Sequence, residues 1–291
     1  MRLSLTPLII CCCAHISAQD SNTQFSYGSF SDTYNTLCYR ITTVNSEQPG
    51  DAVLITFLHG GSAVGNDNEA NLNSFLETNI LPYLEASTRK AVIFVPQCPE
   101  NRVWSETRQE HPVYGTLKSC IDEIAAEYEI VGNDCFILGG SAGGTGAWRM
   151  LSEYPEYFSC AVIAAGNPQG LDLEAIAKTP VYCVLSKSDR VIKFQSVYPL
   201  IKEIQQMAGA DLTLEILENA SHSETCINAY SDKALDKMFS YTSSSIEYVK
   251  PDREPKITNV YDIYGHLMGG IGKGLNIVRY SNGSVKKIII P

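Results

Sequence analysis

The sequence predicts a protein of the α/β class, in which a mostly parallel sheet is covered by helices on both faces. Short apolar runs alternate along the chain with longer amphipathic stretches, the order expected of βαβ units. Most of the runs are apolar over nearly their whole length rather than at every second residue, as in strands that are buried on both faces. The chain has 291 residues, 44% of them hydrophobic, which is enough for one large domain with appendages.

The predicted strands and helices follow one another from Ala52 onward. The apolar runs interpreted as parallel strands are Ala52–Leu58, Ala91–Val95, Cys135–Leu138, Cys160–Ala165, Val181–Leu185 and Leu212–Leu217. The stretches interpreted as helices are Glu69–Leu84, Tyr114–Tyr128, Gly144–Leu151, Phe194–Met207 and Thr225–Tyr241. The chain before Ala52, including Thr36–Val44, is expected to form antiparallel strands at one edge of the sheet.

Both ends of the chain differ from this central part. Residues 1–18 carry one arginine, then a short apolar run, and end in Ala18, a pattern typical of a secretory signal peptide. From residue 250 onward seven basic residues stand against three acidic ones, whereas residues 19–249 carry 14 basic and 29 acidic residues. This change in charge predicts a signal peptide at 1–18, a main domain at 19–249 and a separate unit at 250–291.

The C-terminal unit is expected to be rich in β structure. Its strand patterns, separated by glycine-rich and Asn-Gly turns, are Ile257–Tyr261, Asn276–Tyr280 and Lys286–Ile290. The segments Val260–His266, Lys273–Arg279 and Gly283–Lys287 resemble the C-terminal sorting tails of bacterial proteins exported by the type IX system. The resemblance implies secretion machinery as a partner and a location on the outer surface or in the medium. The alternatives are a β appendage without a targeting role and a periplasmic location.

Charge and cysteine content exclude several function classes. The net charge of -10 disfavours binding to nucleic acid or anionic lipid, so a neutral substrate is expected. Removal of the signal peptide leaves seven of the ten cysteines, an odd number that requires at least one free thiol. The sequence has no CxxC pair and no cluster of histidines, so we expect neither a metal nor another cofactor.

A nucleophile is predicted at Ser141. The pattern Gly139-x-Ser141-x-Gly143 lies between a predicted strand and a predicted helix, as a nucleophile elbow requires. The glycines leave room for the chain to pass close to the serine in a tight turn. A serine hydroxyl needs a base, and histidine is the usual one near neutral pH.

Chain order selects the base and the acid. His15 belongs to the predicted signal peptide and His266 to the C-terminal unit. The order serine, acid, histidine then leaves His222 as the base, because His59 and His111 precede the serine. Three aspartates lie between Ser141 and His222: Asp172, Asp189 and Asp211. Asp189 is preferred because it follows the strand Val181–Leu185, whereas Asp172 lies at a helix start and Asp211 precedes a strand at the opposite sheet edge.

Further roles are predicted at the strand ends. The backbone N–H groups of Ala142 and Gly61 are expected to bind the oxyanion of a tetrahedral intermediate, with Ser62 as the alternative to Gly61. His59 is interpreted as a structural loop residue. Gln97, Trp104 and Asn167 are candidate substrate contacts, although a lone tryptophan often serves packing instead.

Together these motifs resemble the α/β-hydrolase superfamily. The matching segments are Leu58–Asp67, Val95–Pro99 with Trp104, Gly139–Trp148 with Tyr154, Pro155 and Phe158, and Ser221–His222 with Ala229 and Tyr230. They are similar to secreted esterases of the polyhydroxybutyrate-depolymerase, feruloyl and acetylxylan types, and to prolyl-oligopeptidase-like peptidases. The resemblance implies a secreted serine esterase that acts on acetyl or feruloyl groups of plant polysaccharide, in an open cleft without a long lid insertion. A serine peptidase with the same triad and a non-catalytic surface binding protein are the alternatives.

Overall fold

The computed structural model of the chain describes residues 24–72, 76–106, 110–132, 134–243, 257–262, 266–280 and 285–290. The predicted signal peptide and the predicted boundary near residue 250 lie outside these residues, so both stay predictions.

Within the described residues, the main sheet has eight strands in the order β1-β2-β4-β3-β5-β6-β7-β8. The strands are β1 (Ser26–Ser31), β2 (Thr36–Val44), β3 (Val53–Leu58), β4 (Ala91–Pro96), β5 (Cys135–Gly140), β6 (Cys160–Ala164), β7 (Val181–Ser186) and β8 (Leu212–Leu217). β3 to β8 run parallel to one another, and β1 and β2 add an antiparallel edge next to β4. The predicted parallel sheet with an antiparallel edge is confirmed.

Helices cover both faces of this sheet. They are α1 (Leu81–Glu85), α2 (Val113–Glu127), α3 (Ala142–Glu153), α4 (Leu173–Ile176), α5 (Phe194–Gln206), α6 (His222–Asn228) and α7 (Asp232–Phe239). Alternate side chains of β3 enter two separate hydrophobic clusters because successive strand residues point to opposite faces. Leu54 packs in the cluster that includes Trp148 of α3, and Ile55 packs in the one that includes Leu235 of α7.

Two predicted helices differ from the structure. Among the described residues of the helix predicted at Glu69–Leu84, the helical ones form a π-helical turn at Leu76–Ile80 followed by α1. Residues 69–72 form a loop because the Asp67 carboxylate accepts the backbone N–H groups of Glu69 and Ala70, and Asn68 adopts a positive φ of 59°. The helix predicted at Thr225–Tyr241 is split into α6 and α7, since Ser231 caps a new helix by accepting the N–H of Ala234.

The C-terminal residues form a second, four-stranded antiparallel sheet. Its strands, in the order β10-β9-β11-β12, are β9 (Ile257–Tyr261), β10 (Leu267–Met268), β11 (Gly274–Tyr280) and β12 (Val285–Ile290). The β-rich C-terminal unit is confirmed, and β10 is an addition that the sequence did not predict. The Asn282-Gly283 turn lies outside the described residues. Among the residues described, no helix is long and apolar enough to cross a membrane.

All seven cysteines of the described residues are free thiols, and six of them are buried. Cys38 on β2 is partly exposed. Burial raises the pKa of the Cys98 and Cys226 thiols to about 12. These thiols therefore remain protonated at neutral pH and act as small apolar side chains.

Candidate active site

Ser141 sits in a strained turn between β5 and α3. Its φ of 58° and ψ of -121° are rare for a residue with a side chain, and such a conformation costs about 1–3 kcal/mol. The Ser141 N–H donates to the carbonyl of Ala164 on the neighbouring strand β6 at 2.9 Å, which holds the turn in place. The hydroxyl therefore projects from the carboxyl end of the sheet.

The glycines on either side of Ser141 are required by close packing. A Cβ atom at Gly139 would lie 2.4 Å from the carbonyl oxygen of Gly143. A Cβ atom at Gly143 would lie 2.0 Å from the carbonyl oxygen of Leu58, at the end of β3. Any larger residue at either position would push α3 away from the strands that it covers.

His222 connects the serine to the carboxylate of Asp189. Its Nε2 atom lies 2.8 Å from Ser141 Oγ, and its Nδ1 atom lies 2.8 Å from Asp189 Oδ2. Because a carboxylate only accepts hydrogen bonds, Nδ1 carries the proton and Nε2 is free to accept the serine hydroxyl. The Asp189 side chain is 1% exposed and that of His222 19%, so this chain of bonds is largely shielded from water. The structure thus brings together the three side chains that the sequence selected.

Asp189 is fixed by its other oxygen, Oδ1, which accepts the backbone N–H groups of Val191 at 2.8 Å and Ile192 at 2.9 Å. The two aspartates that were not selected as the acid have structural roles in other parts of the protein. Asp172 caps α4 by accepting the N–H of Ala175, and Asp211 pairs with Lys237 at the far end of β8.

His222 is the first residue of α6, whose start is fixed by a capping box. Ser221 Oγ accepts the N–H of Glu224, and the Glu224 carboxylate accepts the N–H of Ser221 at 2.7 Å. The capping box was not predicted from the sequence, although the Ser-x-x-Glu spacing is a signal for it. The box orients the first turn of the helix and with it the imidazole.

The loop after β3 lies directly against the elbow. A Cβ atom at Gly61 would lie 3.7 Å from the Cβ atom of Ala142, and one at Gly60 would lie 3.7 Å from the Cβ atom of Ser141. Ala142 is the first residue of α3, so its N–H has no acceptor within the helix. Gly61 likewise begins a single 3₁₀ turn, Gly61–Ala63. Two backbone segments with uncommitted helix-start amides therefore meet beside the serine.

The buried ring of His59 fixes this loop through two hydrogen bonds to the backbone. Its ring is buried, with Nε2 accepting the N–H of Cys98 at 2.9 Å and Nδ1 donating to the carbonyl of Gly60 at 2.7 Å. Burial lowers the pKa of His59, which favours the neutral ring that these two bonds require. The interpretation of His59 as a structural residue agrees with this position.

Two of the three candidate substrate contacts need correction. Gln97 is fully buried: its Oε1 accepts the N–H of Asn68 at 2.7 Å, and its Nε2 donates to Ala63 O at 3.1 Å and to Asp67 Oδ1 at 2.7 Å. Its amide is committed to the 61–71 loop and has no surface to offer a substrate.

Trp104 is likewise a packing residue. It is 2% exposed, its indole N–H donates to the carbonyl of His59 at 3.2 Å, and its Cβ occupies the space beside Gly146. Asn167 is half-buried, with its Oδ1 accepting the N–H of Gln169, and it stays a candidate contact. Within the part of the chain that the structure describes, no group of three His, Cys, Asp or Glu side chains could hold a metal ion.

Comparisons with solved structures identify the same fold in hydrolases. A thermostable esterase matches with a TM-score of 0.61 and 22% identity over 74% of this chain and 62% of its own. A feruloyl esterase module from Clostridium thermocellum matches with a TM-score of 0.56 and 10% identity over 77% of this chain and 90% of its own. A prolyl endopeptidase matches with a TM-score of 0.56 and 14% identity over 75% of this chain and 39% of its own. At these identities the likeness establishes the fold, which esterases and peptidases share.

A comparison with curated protein sequences gave no match. The family model of the dienelactone hydrolase family matches residues 88–250, more than half of the chain. The matched segment runs from just before β4 to beyond α7 and includes Ser141, Asp189 and His222. The chain therefore belongs to the dienelactone hydrolase family, and it is a hydrolase of the α/β-hydrolase superfamily.

Proposed function

We propose that the protein is a serine carboxylic-ester hydrolase in which Ser141 is the nucleophile, His222 the general base and Asp189 the residue that orients the base. The observation that carries the proposal is the unbroken chain of hydrogen bonds, with Ser141 Oγ to His222 Nε2 and His222 Nδ1 to Asp189 Oδ2 both at 2.8 Å. This is the geometry of a serine triad, whatever the fold that holds it.

In the acylation step, Ser141 Oγ attacks the acyl carbon while its proton passes to His222 Nε2. The carbonyl π electrons move to oxygen, and the Asp189 carboxylate stabilises the imidazolium without taking a proton. Collapse of the tetrahedral intermediate breaks the ester C–O bond, and the alcohol leaves with the proton from His222. Water, activated by His222, then hydrolyses the acyl-enzyme by the same route.

The N–H groups of Gly61 and Ala142 would stabilise the oxyanion in both steps. Support comes from the adjacency of the two backbone segments and from the helix-start position of Ala142. One such donor contributes about 10²–10³ to kcat in serine hydrolases. Ser62, the next residue of the same turn, is the alternative to Gly61.

The proposed substrate is an acetyl or feruloyl ester on plant polysaccharide. The 14 basic and 29 acidic residues of 19–249 disfavour an anionic polymer and favour a neutral substrate. The resemblance of the sequence to secreted esterases supports the acyl groups. A peptide substrate uses the same triad and differs in its leaving group, so it is the competing outcome of the assay below.

Probe labelling and a substrate panel test the proposal together. Wild-type protein is expected to react with a fluorophosphonate probe, and Ser141→Ala to lose the reaction, while Ser29→Ala on the exposed face of β1 keeps it. The panel holds acetylated xylan, methyl ferulate, aryl acetates of rising acyl length and a peptide. Cleavage of the peptide without any ester would identify a peptidase, and folded wild-type protein that reacts with nothing would identify a binding protein.

We also propose that the protein is exported, through a signal peptide at 1–18 and a sorting tail at 250–291, and acts at the outer cell surface or in the medium. The charge change near residue 250 and the resemblance of the tail to type IX sorting segments support this. Deletion of residues 250–291 is expected to remove the protein from the outer surface and medium in cell fractionation. An unchanged distribution would contradict a targeting role of the tail.

A further inference from the structure

A buried hydroxyl joins the loop of the proposed acid to the loop of the proposed base. Ser186 is the last residue of β7, three residues before Asp189, and it is 1% exposed. Its Oγ donates to the carbonyl of Ala220 at 2.6 Å and accepts the N–H of Ser188 at 3.2 Å. Ala220 lies two residues before His222, so one hydroxyl contacts both loops.

Apart from the bond between His222 and Asp189, the other hydrogen bonds between these loops lie further from His222. One is the exposed pair of Lys187 and Glu218, with Nζ 2.8 Å from Oε1. The Lys187 N–H donates to the carbonyl of Leu217 at 2.9 Å and extends the pairing of β7 with β8. Ser188 Oγ donates to the carbonyl of Glu218 at 3.0 Å, but Ser188 is exposed, so water can replace this bond. The Ser186 bond is both buried and nearest in sequence to the histidine.

The capping box alone does not place His222 relative to Asp189. Ser221 and Glu224 bond to each other and fix the first turn of α6, but neither contacts the acid loop through this box. His222 has to keep its distances to Ser141 and Asp189 at the same time, and an error in the position of α6 changes both. The Ser186 hydroxyl ties the residue before the box to the strand that carries Asp189.

We propose that Ser186 is a positioning residue, whose hydroxyl holds the start of α6 at the distance from Asp189 that the triad requires. This proposal rests on the ester hydrolysis proposed above. Ser186 does not reach the reacting atoms, and its effect is expected through the alignment of His222. Loss of the hydroxyl leaves the Ala220 carbonyl without this partner and lets the 218–222 loop shift.

Ser186→Ala is the test variant. We expect kcat for the best ester to fall about tenfold to a hundredfold, since a displacement of about 1 Å in a catalytic group has effects of this size. KM is expected to change less than about twofold, because the substrate does not contact Ser186. In proton NMR, the far-downfield signal of the His222 Nδ1 proton is expected to broaden through faster exchange with water, a readout that needs no substrate.

Ser87→Ala is the matched control. Ser87 is also buried, donates through Oγ to a backbone carbonyl, that of Leu84, at 2.7 Å, and accepts the N–H of Arg89 two residues on at 3.2 Å. It precedes β4, at the amino end of the strand and away from the triad. Wild-type kcat per folded molecule is expected for this variant.

Ser186→Thr keeps the hydroxyl and is expected to retain kcat within a few-fold of wild type, together with the sharp Nδ1 signal. If Ser186→Ala does not fold, Ser186→Cys replaces it, because a thiol is a much weaker donor. Wild-type kcat and an unchanged Nδ1 signal in the variant that lacks the hydroxyl would overturn the proposal, as would an equal loss in Ser87→Ala. Wild-type protein that hydrolyses no ester overturns the proposed function instead, and the NMR comparison then still decides whether Ser186 positions His222.

Discussion

Replacement of Gly143 by alanine tests whether the contact between the elbow and the oxyanion loop sets the rate. Gly143 is buried in the first turn of α3, against the end of β3. The added methyl group would lie 2.0 Å from the carbonyl oxygen of Leu58 and 2.7 Å from that of His59. Both neighbours are backbone atoms, so no side-chain rotation can relieve the overlap.

The size of the effect follows from this overlap. Real Cβ atoms essentially never approach another heavy atom within 3.0 Å, so α3 and the end of β3 have to separate by at least 1.0 Å. The same movement carries Gly61 away from Ala142. A displacement of this size in a catalytic group costs about a hundredfold in rate, so we expect kcat for an ester to fall by about that factor. Overpacking is expected to lower the free energy of unfolding by about 1–3 kcal/mol.

Steady-state ester hydrolysis and thermal unfolding measure the two effects. A loss of about 1–3 kcal/mol corresponds to a Tm lower by about 2–12 °C for a domain of this size. Gly115→Ala is the control, because Gly115 lies in α2 and the added methyl group would meet no atom within 4 Å beyond its chain neighbours and the backbone of its own helix. That variant is expected to keep kcat and to gain up to about 1 kcal/mol of stability. Wild-type kcat and Tm in Gly143→Ala would contradict this prediction.

Three further predictions concern single residues. Asp189→Asn is expected to lower kcat by about 10⁴. The oxygen of the asparagine amide would accept the Val191 N–H, and its NH₂ group would then face Nδ1 of His222 and favour the tautomer with the proton on Nε2, which cannot accept the serine proton. A loss below tenfold would contradict the triad. Burial lowers the pKa of His59, so as pH falls the unfolded chain binds a proton at this residue before the folded chain does. The free energy of unfolding is therefore expected to fall below about pH 6.5, by at most about 1.4 kcal/mol per pH unit. Denaturant unfolding from pH 7 to 5 should show a shallower fall in His59→Gln than in wild type. Trp104→Ala is expected to cost about 3–5 kcal/mol of stability with little change in KM, and a large rise in KM without loss of stability would restore it as a substrate contact.

Most of the fold and the three proposed triad residues could be predicted from the sequence, because they depend on local patterns. Most of the parallel strands are nearly continuous apolar runs between polar segments, and β3 and β5 begin and end within about two residues of the predicted bounds. Ser141 is recognisable because the strained turn needs a glycine on both sides, and those glycines stand two residues from it in the chain.

The features that could not be predicted from the sequence depend on hydrogen bonds between residues that are distant in the chain. The amphipathic pattern at Glu69–Leu84 gives no sign that Gln97, on another strand end, bonds to Asn68 and Asp67 and keeps the first part as a loop. The position of Gln97 at a strand end was readable, but the direction of its side chain was not. Nothing in the sequence distinguishes Ser186 from the other serines, because its partner, the Ala220 carbonyl, is 34 residues away in the chain.

The six buried thiols provide a set of built-in reporters of local opening. They lie at the end of β4, in α2, in β5, β6 and β7, and in α6, so they sample both faces of the main sheet. When the surroundings reclose faster than the reagent reacts, each thiol is modified at a rate proportional to the fraction of molecules in which its surroundings are open, since the buried form is protonated and inaccessible. Mass spectrometry after timed exposure to such a reagent would rank the opening free energies of these elements in the unmodified protein. Cys226, one turn after His222, would report on the part of the helix that the proposed chemistry depends on.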